Sequence, residues 1–162
     1  MTEKEYNKMY DKLNRLFDGV TPLKKDCGAL CSGACCKGDD KTGMLLFPFE
    51  KTQLREISEN GRRFVVCSGE CNRSIRPLSC RIFPFFPTLN EKGKIEIAAD
   101  KRGYDICPLV RHSEEIIFDR RFLRNVKKAG KILSKDAQCR AFLQEISEQI
   151  NELNEFINKI NI

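Results

Sequence analysis

Apolar residues recur every three or four positions at both ends of the chain and alternate only briefly in its middle. Tyr6, Met9, Tyr10, Leu13, Leu16 and Phe17 share one helical face. Thr2 with Glu5 supplies a capping box, and Gly19 followed by Thr21-Pro22 supplies a stop, so a helix is predicted over residues 2–18. Met44–Phe47 is short and apolar and reads as a buried strand. Pro48 then opens a predicted short helix, Phe49–Glu59, with Leu54 and Ile57 inward and Asn60-Gly61 as its end. Phe64–Val66 is a second strand candidate. Ile75–Thr88 holds three prolines and three phenylalanines, which excludes one regular helix. Leu89–Ile97 reads as a hairpin whose second arm alternates apolar and polar. Two helices are predicted to close the chain. Ser113 caps the first, with Glu114 and Glu115 in its first turn. The second runs from about Ser134 to Ile160, with Phe142, Ile146, Ile150, Leu153, Ile157 and Ile160 on one stripe.

These elements predict an α+β fold: a small, mainly helical single domain over residues 1–162 with a short β-hairpin. The terminal helical stretches, 2–18 and 113–160, would form the scaffold around a loop-built cysteine region at about 27–109. Composition agrees with a soluble globular chain, with 41% hydrophobic and 32% charged residues. No apolar run approaches the roughly 18 residues that span a bilayer. The first fifteen residues carry charges every second or third position and no apolar core, which speaks against a signal peptide. A cytoplasmic protein without membrane contact is expected.

Nine cysteines change that picture. In a reducing compartment structural disulfides are rare, and clustered thiols point to metal ligation or redox chemistry. Cys27, Cys31, Cys35 and Cys36 lie within ten residues, spaced so that a glycine-rich loop can bring sulfurs to about 2.3 Å from one ion. Gly28 and Gly33 are expected to take the left-handed conformations of that curl. Cys67 and Cys71 repeat the three-residue gap, Cys80 sits among Arg76, Pro77, Arg81 and Pro84, and Cys107 precedes Pro108. Arg76 and Arg81 are expected to donate charge-assisted hydrogen bonds to thiolates. Phe83–Pro87 would either wall such a site from water or serve as core. Cys139 falls on the apolar stripe of the last helix and reads as a small buried hydrophobe. His112, the only histidine, reads as an exposed loop residue.

Charge is uneven. Five basic residues face one acid between Arg62 and Arg81, and nine face four between Lys101 and Lys131. The reading adopted is a solvated basic face that partly offsets thiolate charge. Nucleic acid is not the expected partner, because none of the sequence signatures of common nucleic-acid folds is present. A protein partner, and a homodimer through the C-terminal helix, remain open.

The cluster Cys27, Cys31, Cys35-Cys36, then Cys71, Arg76-Pro77, Cys80-Arg81, Phe83-Pro84, then Cys107-Pro108, resembles the bacterial cysteine-cluster family described as zinc- or iron-chelating, to which flagellin lysine N-methylase belongs. The likeness runs from about Cys27 to Leu109. The family pattern is CxxCxxCC, whereas both gaps here hold three residues. The resemblance implies Cys31, Cys35, Cys36, Cys71, Cys80 and Cys107 as metal ligands, and spacing alone adds Cys27 and Cys67.

The expected function is metal binding, with zinc or an iron–sulfur cluster held by these thiolates. Both metals accept tetrahedral thiolate ligands, so the sequence does not choose between them. The alternative is an iron–sulfur-dependent protein-modifying enzyme such as a lysine N-methyltransferase. Against it stand the missing G-x-G-x-x-G loop and the lack of any paired catalytic carboxylates or Cys/His couple.

Overall fold

The two small antiparallel sheets of this chain belong to different halves of it. The computed structural model describes residues 1–37, 43–67, 69 and 72–160, and its fold is α+β. The chain divides into two compact units, Met1–Phe83 and Pro84–Ile162. The cysteine region expected at 27–109 therefore crosses a unit boundary.

In the first unit, helix α1 (Glu3–Arg15) begins with the capping box read from the sequence. The Thr2 backbone N–H donates to Glu5 Oε2 at 2.6 Å, and the Glu5 N–H donates to Thr2 Oγ1 at 3.4 Å. Its inward face buries Tyr6, Tyr10 and Leu13, with Phe17 just beyond. The short helix α2 (Gly28–Cys31) follows. Strand β1 (Met44–Leu45) then pairs with β3 (Arg62–Val66), which also pairs with β2 (Arg55–Glu59), giving the order β1-β3-β2. Gly43 is fixed by that pairing, since a Cβ there would lie 2.6 Å from the Val65 carbonyl oxygen. Helix α3 (Leu78–Ile82) packs against α1 and β1 and buries Leu78 and Ile82.

The helix expected at Phe49–Glu59 is not formed. Asn60 and Gly61 both have positive φ, +50° and +74°, and make the two-residue turn of a β2–β3 hairpin in which Glu59 pairs with Arg62. Asn-Gly between Arg55–Glu59 and the β-branched run after it was a hairpin signal, not a helix stop. Phe49, at φ +60° and stacked on Tyr6 with ring centroids 4.1 Å apart, also interrupts any helix from Pro48. Leu54 and Ile57 are only half-buried.

In the second unit, β4 (Phe85–Leu89) and β5 (Ile95–Ala99) form the expected hairpin, but its first arm starts at Phe85 and takes in Pro87. Every residue of β4 is buried. Phe85 meets Phe118 edge-on at 4.7 Å, so Phe85 and Phe86 serve as hairpin core. After the single turn α4 (Pro108–Arg111) come α5 (Arg120–Leu133) and α6 (Ala137–Ile160), both packed on β4.

The helix expected from Ser113 begins at Arg120. Asp119 caps it, accepting from the Arg121 and Phe122 N–H groups at 2.6 and 3.2 Å. Ser113 lies in a turn closed by the Glu115 N–H on the His112 carbonyl. Phe122, Val126, Ala129 and Leu133 set the buried period, and that period starts too late for Ser113 to be the cap. The last helix starts at Ala137 rather than Ser134, with Asp136 Oδ1 accepting from the Gln138 and Cys139 N–H groups. Its buried face is Cys139, Leu143, Ile146, Ser147 and Ile150, so the expected stripe is buried only in part and Ile160 is exposed.

Candidate metal centre

Of the nine cysteines, seven lie between Met1 and Phe83: Cys27, Cys31, Cys35, Cys36, Cys67, Cys71 and Cys80. Asp26 starts their loop by accepting the Gly28 N–H at 2.9 Å, which opens α2 directly after Cys27. Cys27 and Cys31, four positions apart across that turn, fall on the same side of it. Ser32 and Gly33 then take consecutive left-handed conformations, φ +51° and +66°, and reverse the chain into a 3₁₀ turn, Ala34–Cys36. Gly33 thus acts as expected, whereas the second left-handed position falls to Ser32 rather than Gly28. Cys35 is exposed and Cys36 buried, yet their sulfurs lie 4.0 Å apart.

Hydrogen bonds tie this loop to the later cysteine segments of the same unit. The Gly69 N–H donates to the Cys36 carbonyl at 3.0 Å, holding the segment just after Cys67 against the doublet. Arg73, in the 3₁₀ turn Arg73–Ile75, pairs with Asp26 across 2.5 Å. The Gly28 N–H and the charges of Arg73 and Arg76 hold the Asp26 carboxyl below the usual range despite slight desolvation. Arg81 draws the same stretch onto Cys80's helix. Its Nε donates to the Arg76 carbonyl at 2.8 Å, its Nη2 to those of Arg73 and Ser74 at 3.3 and 3.1 Å, and its Nη1 to Asp18 at 3.0 Å. The guanidinium expected to bond thiolates is instead the clasp that shapes their loop.

Cys80 is half-buried in the middle of α3. The N-terminus of that helix is held by Glu50, which the sequence reading missed because it lay inside the wrongly expected helix. Glu50 is 1% exposed, and its carboxylate accepts from the N–H groups of Phe47 (3.1 Å), Leu78 and Ser79. Burial pushes its pKa up to about 7, against the opposing pull of those donors and of Arg63. A carboxylate so placed completes the cap that Pro77 cannot provide. The hydroxyl of Ser79, next to Cys80, is buried with no partner among the described residues.

Cys71 lies outside the described residues. Cys107 belongs to the second unit, buried at the start of α4, and its N–H donates to the Gly103 carbonyl. Cys139 is fully buried on α6, as expected of a core residue. His112 is exposed and faces Glu115 at 3.7 Å. No disulfide joins the eight described cysteines, and among the described residues no group of three or more His, Cys, Asp or Glu side chains is arranged to hold an ion. No described helix is long and apolar enough to cross a membrane.

No family model matches this chain, and no curated protein or solved structure is significantly similar to it.

Proposed function

We propose that the first unit binds a metal through its clustered thiolates, as zinc or as an iron–sulfur cluster. The observation that carries this reading is the set of bonds among the cysteine loops: Gly69 on the Cys36 carbonyl, Arg73 on Asp26, and Arg81 across the carbonyls of residues 73–76. Segments rich in thiols are thus held to one another by backbone and charged groups. Ligand donors need not converge before the ion arrives, because binding and local ordering are one process in thiolate sites. The Cys35–Cys36 pair, 4.0 Å apart, and Cys27 with Cys31 on one turn supply a donor set suited to either metal.

The test is metal and acid-labile sulfide content of protein purified without oxygen, with its visible spectrum. About one or two zinc ions per chain without visible absorption identify a closed tetrahedral site. Iron with matching sulfide identifies a cluster. Cys36→Ser and Cys80→Ser should each lower metal content severalfold, while Cys139→Ala should leave it unchanged. Full occupancy in both serine variants, or no metal in the parent protein, would overturn the proposal.

A further inference from the structure

We infer that the exposed face of α5 binds the phosphate backbone of a nucleic-acid duplex. Helix α5 carries Arg120, Arg121, Arg124, Lys127, Lys128 and Lys131, and no acidic residue. All six are exposed, and none is in an ion pair among the described residues. At 100° per residue they fall within an arc of about 120°, spread over about 16 Å of helix axis. The opposite side, Phe122, Val126, Ala129 and Leu133, is wholly buried on the β4–β5 hairpin. The cations therefore face solvent on a rigid platform rather than a loose tail.

That arrangement opposes the helix it stands on. Arg120 with Arg124, Arg124 with Lys128 and Lys127 with Lys131 are like-charge pairs one turn apart, which weaken a helix. Arg120 and Arg121 also occupy the first turn, where the helix dipole disfavours positive charge. A surface chosen for stability or solubility would intersperse acids, as α1 does with Glu3, Glu5 and Asp11 between Lys4, Lys8 and Lys12. A duplex presents about one phosphate per 1.7 Å along its axis, so six cations over the length of α5 match a polyphosphate better than the sparser charge of an acidic peptide. No aromatic side chain lies in the basic arc, which removes the stacking platform used for single strands. Apolar side chains are likewise missing from it, so α5 offers nothing to insert into a bilayer. The chain carries no sequence signature of the common nucleic-acid folds, but backbone contacts of this kind need none.

The experiment is fluorescence anisotropy with full-length protein, metal retained, against mixed-sequence duplex DNA and duplex RNA at several salt concentrations. Binding should weaken linearly on a log–log salt plot with a slope of about −3.6 to −5.4, as release of counterions by four to six contacts requires. Arg124→Glu/Lys127→Glu/Lys131→Glu should weaken binding at least about tenfold and flatten that slope. Lys4→Glu/Lys8→Glu/Lys12→Glu on α1, with the same change in net charge, should leave it within about twofold. Circular dichroism of both variants separates lost binding from lost folding. A stronger response to DNA than to RNA, or the reverse, names the duplex. Equal loss in the two variants would reduce the effect to net charge and overturn the assignment to α5. Capture by phosphatidylserine vesicles without duplex binding would also overturn it, and loss of that capture in Ile117→Ser would identify a membrane. Ile117 is the most exposed large apolar residue among the described residues, 94% accessible, three positions before α5.

Discussion

Glu50 shows how one carboxylate couples pH to the element that carries a candidate ligand. Its folded pKa, about 7, lies above the unfolded value near 4.5, chiefly because burial disfavours the charged form. Below about pH 4.5 the group is protonated in both states and costs nothing. As pH rises from there to about 7 the unfolded chain releases its proton first, so the folded state loses stability through that window, by about 3 kcal/mol at most. Urea unfolding from pH 5 to 8 should show this decline in the native protein and a flatter profile in Glu50→Gln. A decline that survives the substitution would place its source elsewhere. The backbone donors on Glu50 also mean that Glu50→Ala should be worse than Glu50→Gln at every pH, since it strips the acceptor from buried N–H groups of Phe47 and α3.

At the scale of elements, the hairpin and the helices of the second unit hold together by close approach. Gly130, in the last turn of α5, faces Pro87 of β4: a Cβ at this position would sit 2.4 Å from Pro87 Cβ and 2.9 Å from Ile95 Cγ2. Alanine is the better helix former by about 1 kcal/mol, but the overlap forces strand and helix apart. Gly130→Ala should therefore destabilise, by about 1–3 kcal/mol, in denaturant titration. A stabilised variant would mean that α5 and β4 yield more readily than their packing implies. Ser147 makes a matching polar contact, its hydroxyl receiving the Leu89 N–H at 2.8 Å within an otherwise apolar face. These contacts explain what the sequence could and could not show. The capping box of α1, the alternation of Ile95–Ile97 and the burial of Cys139 were legible because each depends on local spacing. The start of α5 was not, because Ser113 and Asp119 are both good caps and only packing of Phe122 onto Phe85 selects the second. The β2 strand was missed for a similar reason. Residues 55–59 lie at a sheet edge with little burial, so no apolar alternation advertises them, and their partner strand defines them. In the candidate site, the left-handed Gly33 could be read from sequence, whereas Glu50 and the clasp made by Arg81 depend on contacts across 28 and up to 63 residues.

Across the whole molecule the two units differ in what stabilises them. Pro84–Ile162 has two long helices on a fully buried strand, with Phe86, Leu89, Phe122, Val126, Leu133, Leu143, Ile146 and Ile150 in its core. Among its described residues, Met1–Phe83 has one long helix and three strands, the shortest of two residues. Between Phe17 and Met44, and again between Val66 and Leu78, the described chain runs in turns and single helical turns held by polar contacts. Stretches held by polar contacts rather than by a core are the part of this unit that a bound metal would order. Structural thiolate sites contribute about 10 kcal/mol or more of apparent binding energy, comparable to the total stability of a domain. If the first unit holds the proposed metal, stripping it with a chelator should act unequally. Hydrogen-exchange mass spectrometry should show peptides from 20–37, 62–67 and 72–83 losing protection by at least about a hundredfold, with β4, α5 and the buried half of α6 unchanged. Loss in both units alike would make folding of the whole chain depend on the metal. Unchanged exchange throughout, after verified removal, would show that the loops hold their shape through Gly69, Arg73 and Arg81 alone, and would leave the metal a chemical role rather than a structural one.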